Sequence, residues 1–69
     1  MHTEEEIIAK ASEYIGLDVD GPQREFKQSV VMVSKSGNDQ FRTWLYEVLF
    51  EKQTINGKKE WVAKEVIYK

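Results

Sequence analysis

An imidazole, the side chain most often used for proton transfer at neutral pH, occurs once in the chain, as His2. The hydroxyls that such a base activates would be those of Ser12, Ser29, Ser34 or Ser36. Their spacing joins none of them to His2, and a residue beside the terminus is expected to fray. Carboxylates are plentiful, yet no spacing isolates a pair with one member held protonated for acid catalysis. Cysteine is absent, which excludes disulfides and thiolate metal centres. Asp18-Val19-Asp20-Gly21 shares the opening of a calcium loop. Aligning Asp20 and Gly21 with the fifth and sixth loop positions puts Gly16 first and Lys27 last, where acids are required. The stretch therefore reads as a turn, which aspartates bend and cap without an ion. The scattered glycines make no phosphate cradle. No catalytic, metal or cofactor site is expected, and the chain reads as non-enzymatic.

The remaining functional candidates are aromatic and aliphatic. Trp44, Tyr46, Phe50 and Trp61 have the chemistry to grip a peptide or stack bases; they also have the bulk to fill a small core beneath a helix. With Val31 and Val33 they form the candidate interface. The basic residues Arg24, Lys27, Arg42, Lys52, Lys58, Lys59, Lys64 and Lys69 are interleaved with acids, as in a solubilising surface. Glu47, Glu51 and Glu65 alternate with apolar residues near lysines, the pattern of a solvated sheet face.

The elements that would position these residues are strongly punctuated. A helix is predicted over about residues 3–16. Thr3 is its N-cap and Glu6 closes a capping box, while Glu4 to Glu6 suit the positive end of the helix dipole. Ile7, Ile8, Ala11, Tyr14 and Ile15 form its apolar face, and Gly16 is expected in the left-handed position that ends it. Gly21-Pro22 blocks any continuation. Strands are predicted over about 23–34, 41–53 and 59–68, joined by a turn in Lys35–Asp39 and by Asn56-Gly57, the strongest two-residue hairpin signal. The chain is thus an α+β fold, a helix followed by a three-stranded antiparallel meander, in one domain spanning 1–69.

A two-residue turn at Asn56-Gly57 sets Phe50 opposite Ala63, Val48 opposite Glu65 and Tyr46 opposite Ile67. One face then carries Trp44, Tyr46, Val48, Phe50, Trp61, Ala63 and Ile67. The other carries Leu45, Leu49, Val62, Val66 and Tyr68. A four-residue turn at Ser36–Asp39 adds Val31 and Val33 to the first face and Phe26, Val30 and Met32 to the second. Both faces are apolar, each of about 400 Å², and a helix of this length shadows less than half of one. Monomers seldom leave contiguous apolar patches of that size in water. A second copy of the chain is the expected cover, packed face to face or joined edge to edge. Of the two outer strands the first is the expected joining edge, because its middle carries no charge.

Bulk composition narrows the class further. The 69 residues are 41% hydrophobic, a folding composition near the lower size limit for an unstapled domain. Ten basic and twelve acidic residues leave a net charge of −2, which favours neither an electrostatic nucleic-acid binder nor a DNA mimic. The acidic start lacks a signal peptide's basic end and apolar run, and no stretch has membrane-spanning length. A cytoplasmic protein is expected. Gly21, Pro22, Phe26 and the valines that follow resemble the stretch entering the first strands of double-stranded-RNA-binding domains, which also run helix and then three antiparallel strands. The histidine that family carries after Gly-Pro is missing, with Arg24 the nearest polar residue. Its closing lysine- and alanine-rich helix is replaced by the strand Glu60–Lys69. The likeness is one of loop and strand, not of descent. The expected function is that of a small homodimeric protein-binding regulator, of the size common among accessory or phage-encoded proteins. The alternative is a nucleic-acid-binding module using the sheet aromatics and scattered lysines.

Overall fold

In a computed structural model, which describes residues 2–35, 37 and 40–68, the chain runs α1 (Glu4–Glu13), β1 (Glu25–Lys35), β2 (Phe41–Ile55) and β3 (Lys58–Tyr68). The strands form one open sheet in the order β1-β2-β3, with both pairs antiparallel. This is the α+β meander expected from the sequence.

The start of α1 follows its sequence signals. Thr3 is extended, and its Oγ1 accepts the Glu6 backbone N–H at 3.2 Å. The Glu6 carboxylate in turn accepts from the Thr3 hydroxyl at 3.2 Å and from the Thr3 backbone N–H, completing the capping box. The end of α1 differs from expectation. Tyr14 N–H bonds Ala11 O at 3.1 Å and Ile15 N–H bonds Ser12 O at 3.4 Å, so the helix closes with a tight three-residue turn. Positive φ among the glycines is confined to Gly37 and Gly57. Gly16 is therefore not a left-handed cap, and Tyr14 lies on solvent instead of the apolar face. In the connection to β1, Asp18 Oδ1 accepts the Asp20 N–H at 2.9 Å and Asp18 O accepts the Gly21 N–H at 3.0 Å. The Asp18–Gly21 stretch is the turn its composition suggested.

Asn56 and Gly57 both have positive φ, 52° and 80°, the conformation of a type I′ hairpin turn. Phe50 pairs with Ala63 as expected. Beyond that pair the register shifts: Leu49 faces Glu65, Val48 faces Val66 and Tyr46 faces Tyr68, leaving Lys64 as an unpaired bulge residue. The expected pairings of Val48 with Glu65 and Tyr46 with Ile67 are thereby corrected. Val66 and Tyr68 join the face of Val48, and Ile67 moves to the other. A second correction concerns β1. Lys35 pairs with Phe41, so the connection is one residue longer than a four-residue turn. Ser36, Asn38 and Asp39 of that connection lie outside the described residues, while Gly37 takes φ 69°. One added residue inverts the sidedness of a strand. Phe26, Val30 and Met32 therefore share a face with Trp44, Tyr46, Val48 and Phe50, and Val31 and Val33 lie on the opposite one.

The core sits between α1 and that first face. Ile7 and Ala11 of the helix meet Val30, Tyr46, Val48 and Phe50, all buried, with Ile8, Ile15, Phe26, Met32, Trp44, Trp61, Ala63 and Val66 packed around them. Each fully buried large side chain contributes about 1.5–3 kcal/mol, so Ile7, Val48 and Phe50 anchor the fold. Phe26 stacks on Phe50 at 5.4 Å and meets Trp61 edge-on at 4.7 Å. Trp61 Nε1 donates to Leu17 O at 3.0 Å, which ties the chain after α1 to β3.

Candidate functional site

Strand alternation places the odd-numbered residues of β1 and β2 on the face that α1 leaves open. Val31 pairs with Leu45, Val33 with Thr43 and Lys35 with Phe41. Val31, Val33, Phe41 and Leu45 remain 53%, 56%, 66% and 48% exposed. Together they present on the order of 400 Å² of apolar surface, a patch of the size that is often functional. Half-buried Leu49, Val62 and Ile67 extend the patch across β2 and β3. Charge of both signs divides and borders it: Glu47 stands on β2 between Leu45 and Leu49, Lys27 pairs with Leu49, and beyond Leu49 Glu51 meets Lys64 at 3.8 Å. The uninterrupted apolar part is Val31, Val33, Phe41 and Leu45, and apolar area bordered by polar groups is what protein–protein contacts use.

The six candidate interface residues divide between the two faces. Val31 and Val33 lie on the open face. Tyr46 and Phe50 are buried beneath α1, and Trp44 and Trp61 pack at the margins of the same core. The rims of the two indoles carry cations: Arg42 lies 5.6 Å from the Trp44 ring and Lys52 5.6 Å from the Trp61 ring. Phe41 and Leu45, absent from the sequence-derived set, belong with Val31 and Val33. Nothing in their types announces it; only the length of the β1–β2 connection decides which parity faces outward.

The two sheet edges differ as well. The β3 edge has the Lys64 bulge and carries Lys58, Lys59, Glu60, Lys64 and Glu65. The β1 edge is paired with β2 without interruption from Glu25 to Lys35, and it has no charge between Gln28 and Ser34. Its hydrogen-bond phase follows from one contact. Lys52 N–H donates to Arg24 O at 2.8 Å, so even-numbered residues of this strand exchange bonds with β2. The odd-numbered ones direct N–H and C=O outward. The Gln28 side chain donates to the Ser29 carbonyl at 3.1 Å, in keeping with an outward acceptor.

The structure also assembles a constellation that spacing did not reveal. His2 Nε2 lies 2.7 Å from Ser34 Oγ, and His2 Nδ1 lies 3.3 Å from Glu6 Oε2. The ring also meets Tyr46 edge-on at 6.4 Å. His2 is therefore tied down, not frayed as expected from its position. Bonds from His2, and secondly from Thr3, hold the Glu6 carboxyl below its ordinary value. The serine–imidazole–carboxylate order is that of a hydrolase triad, but Ser34 stands on a regular strand. The cavity of about 540 Å³ lined by Arg24, Glu25, Glu51, Lys52 and Thr54 lies at the far end of β1. Two cations and two carboxylates in that cavity cancel, so it selects neither anion nor cation. The constellation works as a clasp joining α1 to the sheet.

Among the described residues no group of three or more His, Cys, Asp or Glu is placed to hold a metal ion. No helix among them is long and apolar enough to cross a membrane. No protein family, no curated protein and no solved structure matches the chain.

Proposed function

We propose that the protein is a small non-enzymatic binding protein that acts as a homodimer and takes an apolar segment of another protein on its open sheet face. The observation that carries this reading is the cluster of Val31, Val33, Phe41 and Leu45 on the face opposite α1. Keeping such a patch in water is unfavourable by about 25 cal/mol per Å², a driving force that a protein partner releases. The sheet aromatics that would serve as a base-stacking platform are instead engaged in the core, and the surrounding charge is mixed. Both features favour a protein partner over a nucleic acid.

Two measurements test the reading. Sedimentation equilibrium at micromolar concentration should give twice the 8.1 kDa chain mass; a clean monomer refutes the homodimer. Affinity capture from the native host should recover one protein with the native bait and lose it with Leu45→Lys, a substitution at a half-exposed position that should leave the fold intact, as circular dichroism would check. Binding to RNA or DNA with a steep salt dependence would instead establish the nucleic-acid alternative.

A further inference from the structure

We infer that two copies join through their β1 edges, antiparallel and centred on Val30, doubling the three-stranded sheet to six. The inference rests on the homodimer proposed above and specifies its geometry.

The two edges of the sheet are not alike. Exposed strand edges template further pairing unless a bulge, a proline or charge blocks them. β3 has the bulge at Lys64 and a row of charges. β1 has neither from Gln28 to Ser34, and its ladder to β2 is unbroken over Glu25–Lys35. The outward groups belong to Glu25, Lys27, Ser29, Val31, Val33 and Lys35, by the phase that the Lys52–Arg24 bond fixes.

That phase restricts the register. Two antiparallel copies can exchange bonds only when odd residues stand opposite odd ones. Full overlap of the strand then puts Val30 on the two-fold axis, Ser29 opposite Val31, Lys27 opposite Val33 and Glu25 opposite Lys35 of the second copy. The strand is self-complementary in charge: the acid at one end meets the base at the other, twice per dimer. Opposite charges facing each other across strands stabilise a pair, whereas like charges destabilise it. A shift by one residue sets inward-directed groups against outward ones and forfeits the ladder. Shifts by two residues keep the phase but lose overlap and the Glu25–Lys35 match.

The pairing also has a consequence for the open face. Val31 is odd and one position from the axis, so the Val31 residues of the two copies stand diagonally across it, whereas each Val33 lies opposite Lys27 of the other copy. The two apolar patches therefore meet at Val31 and run outward from the axis on one side of the sheet, while each α1 stays on the opposite side. A single partner segment could then span both copies.

The test uses Ser29→Pro and mixed-label NMR. The Ser29 N–H points outward, so proline removes a bond to the second copy and none to β2, a placement edge strands tolerate. The fold should persist and the dimer should dissociate roughly a hundred-fold more readily. In a dimer of labelled and unlabelled native chains, the Gln28 and Met32 Hα atoms of different copies should give a cross-peak, as opposed residues of a non-hydrogen-bonded pair do. A dimer that keeps its affinity with Ser29→Pro, or gives intermolecular peaks at Phe41 and Leu45 instead, overturns the edge geometry and leaves the homodimer standing. A native monomer overturns both. Should Ser29→Pro fail to fold, the cross-peak on the native chain decides.

Discussion

Deletion of Lys64 is the most informative perturbation of the sheet. In the native chain Phe50 pairs with Ala63 and Leu49 with Glu65, with Lys64 between them. Removing it lets Ala63 run directly into Glu65, so every observed pairing survives and Val66 still faces the core. The losses are small. The Lys64–Glu51 pair at 3.8 Å has both partners more than a third exposed, and such pairs contribute about 0–1 kcal/mol. One fewer residue to order offsets this by about 1–2 kcal/mol. The net change should lie within about 1 kcal/mol of the native stability. Deletion of Val62 is the matched control. It also shortens β3 by one residue, but it sets Ala63 opposite Glu51 and Lys64 opposite Phe50. An ammonium group then takes the place of Ala63 against the core, and the loss should reach about 3 kcal/mol or more. Urea denaturation followed by tryptophan fluorescence measures both. Equal and large losses would refute the assignment of Lys64 as the residue that absorbs the register shift.

Further outcomes follow from local geometry. Thr3→Ala should lose about 1 kcal/mol through the broken capping box, read by the same denaturation. Gly57→Ala should lose about 1 kcal/mol or more at φ 80°, whereas Gly16→Ala, with open space around it and no positive φ, should be neutral or stabilising by less than about 1 kcal/mol; unfolding midpoints compare the two. Ile7→Ala should cost about 2–5 kcal/mol, because the side chain is fully buried. The folded-state Glu6 carboxyl is held below its unfolded value near 4.5, so its contribution is present above that pH and lost as pH falls through the depressed value; Glu6→Gln should flatten this acid limb in a stability-versus-pH titration.

The features that were legible in the sequence are those set within a few residues. Thr3 and Glu6 form a capping box because both partners lie one turn apart, and Asn56-Gly57 tolerates the two positive φ values of its turn. The order of helix and strands followed from punctuation. The assignment of faces did not, because it depends on counting across connections. A glycine at 37 announces a turn but not its length, and one residue more than expected moved Val31 and Val33 away from Trp44. The bulge was equally silent. Val62 and Ala63 are apolar on adjacent parities, as are Val66 and Ile67, so the phase change between them leaves no trace in the pattern. Gly16 misled for a related reason: a helix can end through tight backbone bonds at Tyr14 and Ile15 without a left-handed residue. His2 met Ser34 only through the tertiary fold, which no spacing encodes.

The Asn56-Gly57 turn also sets an order of events in time. β2 and β3 are joined by the shortest connection in the chain, and closing a two-residue loop costs less entropy than any other contact between elements. Hairpins of this kind form in about 1–10 μs. Ile7 and Ala11, by contrast, reach Val48 and Phe50 only after the long intervening chain has been folded back. Docking of α1 is therefore expected to be a late step, and weakening it should accelerate unfolding more than it slows folding. The same ordering leaves a nascent sheet with both faces bare until the helix arrives, a short interval in which this chain is most open to association with others.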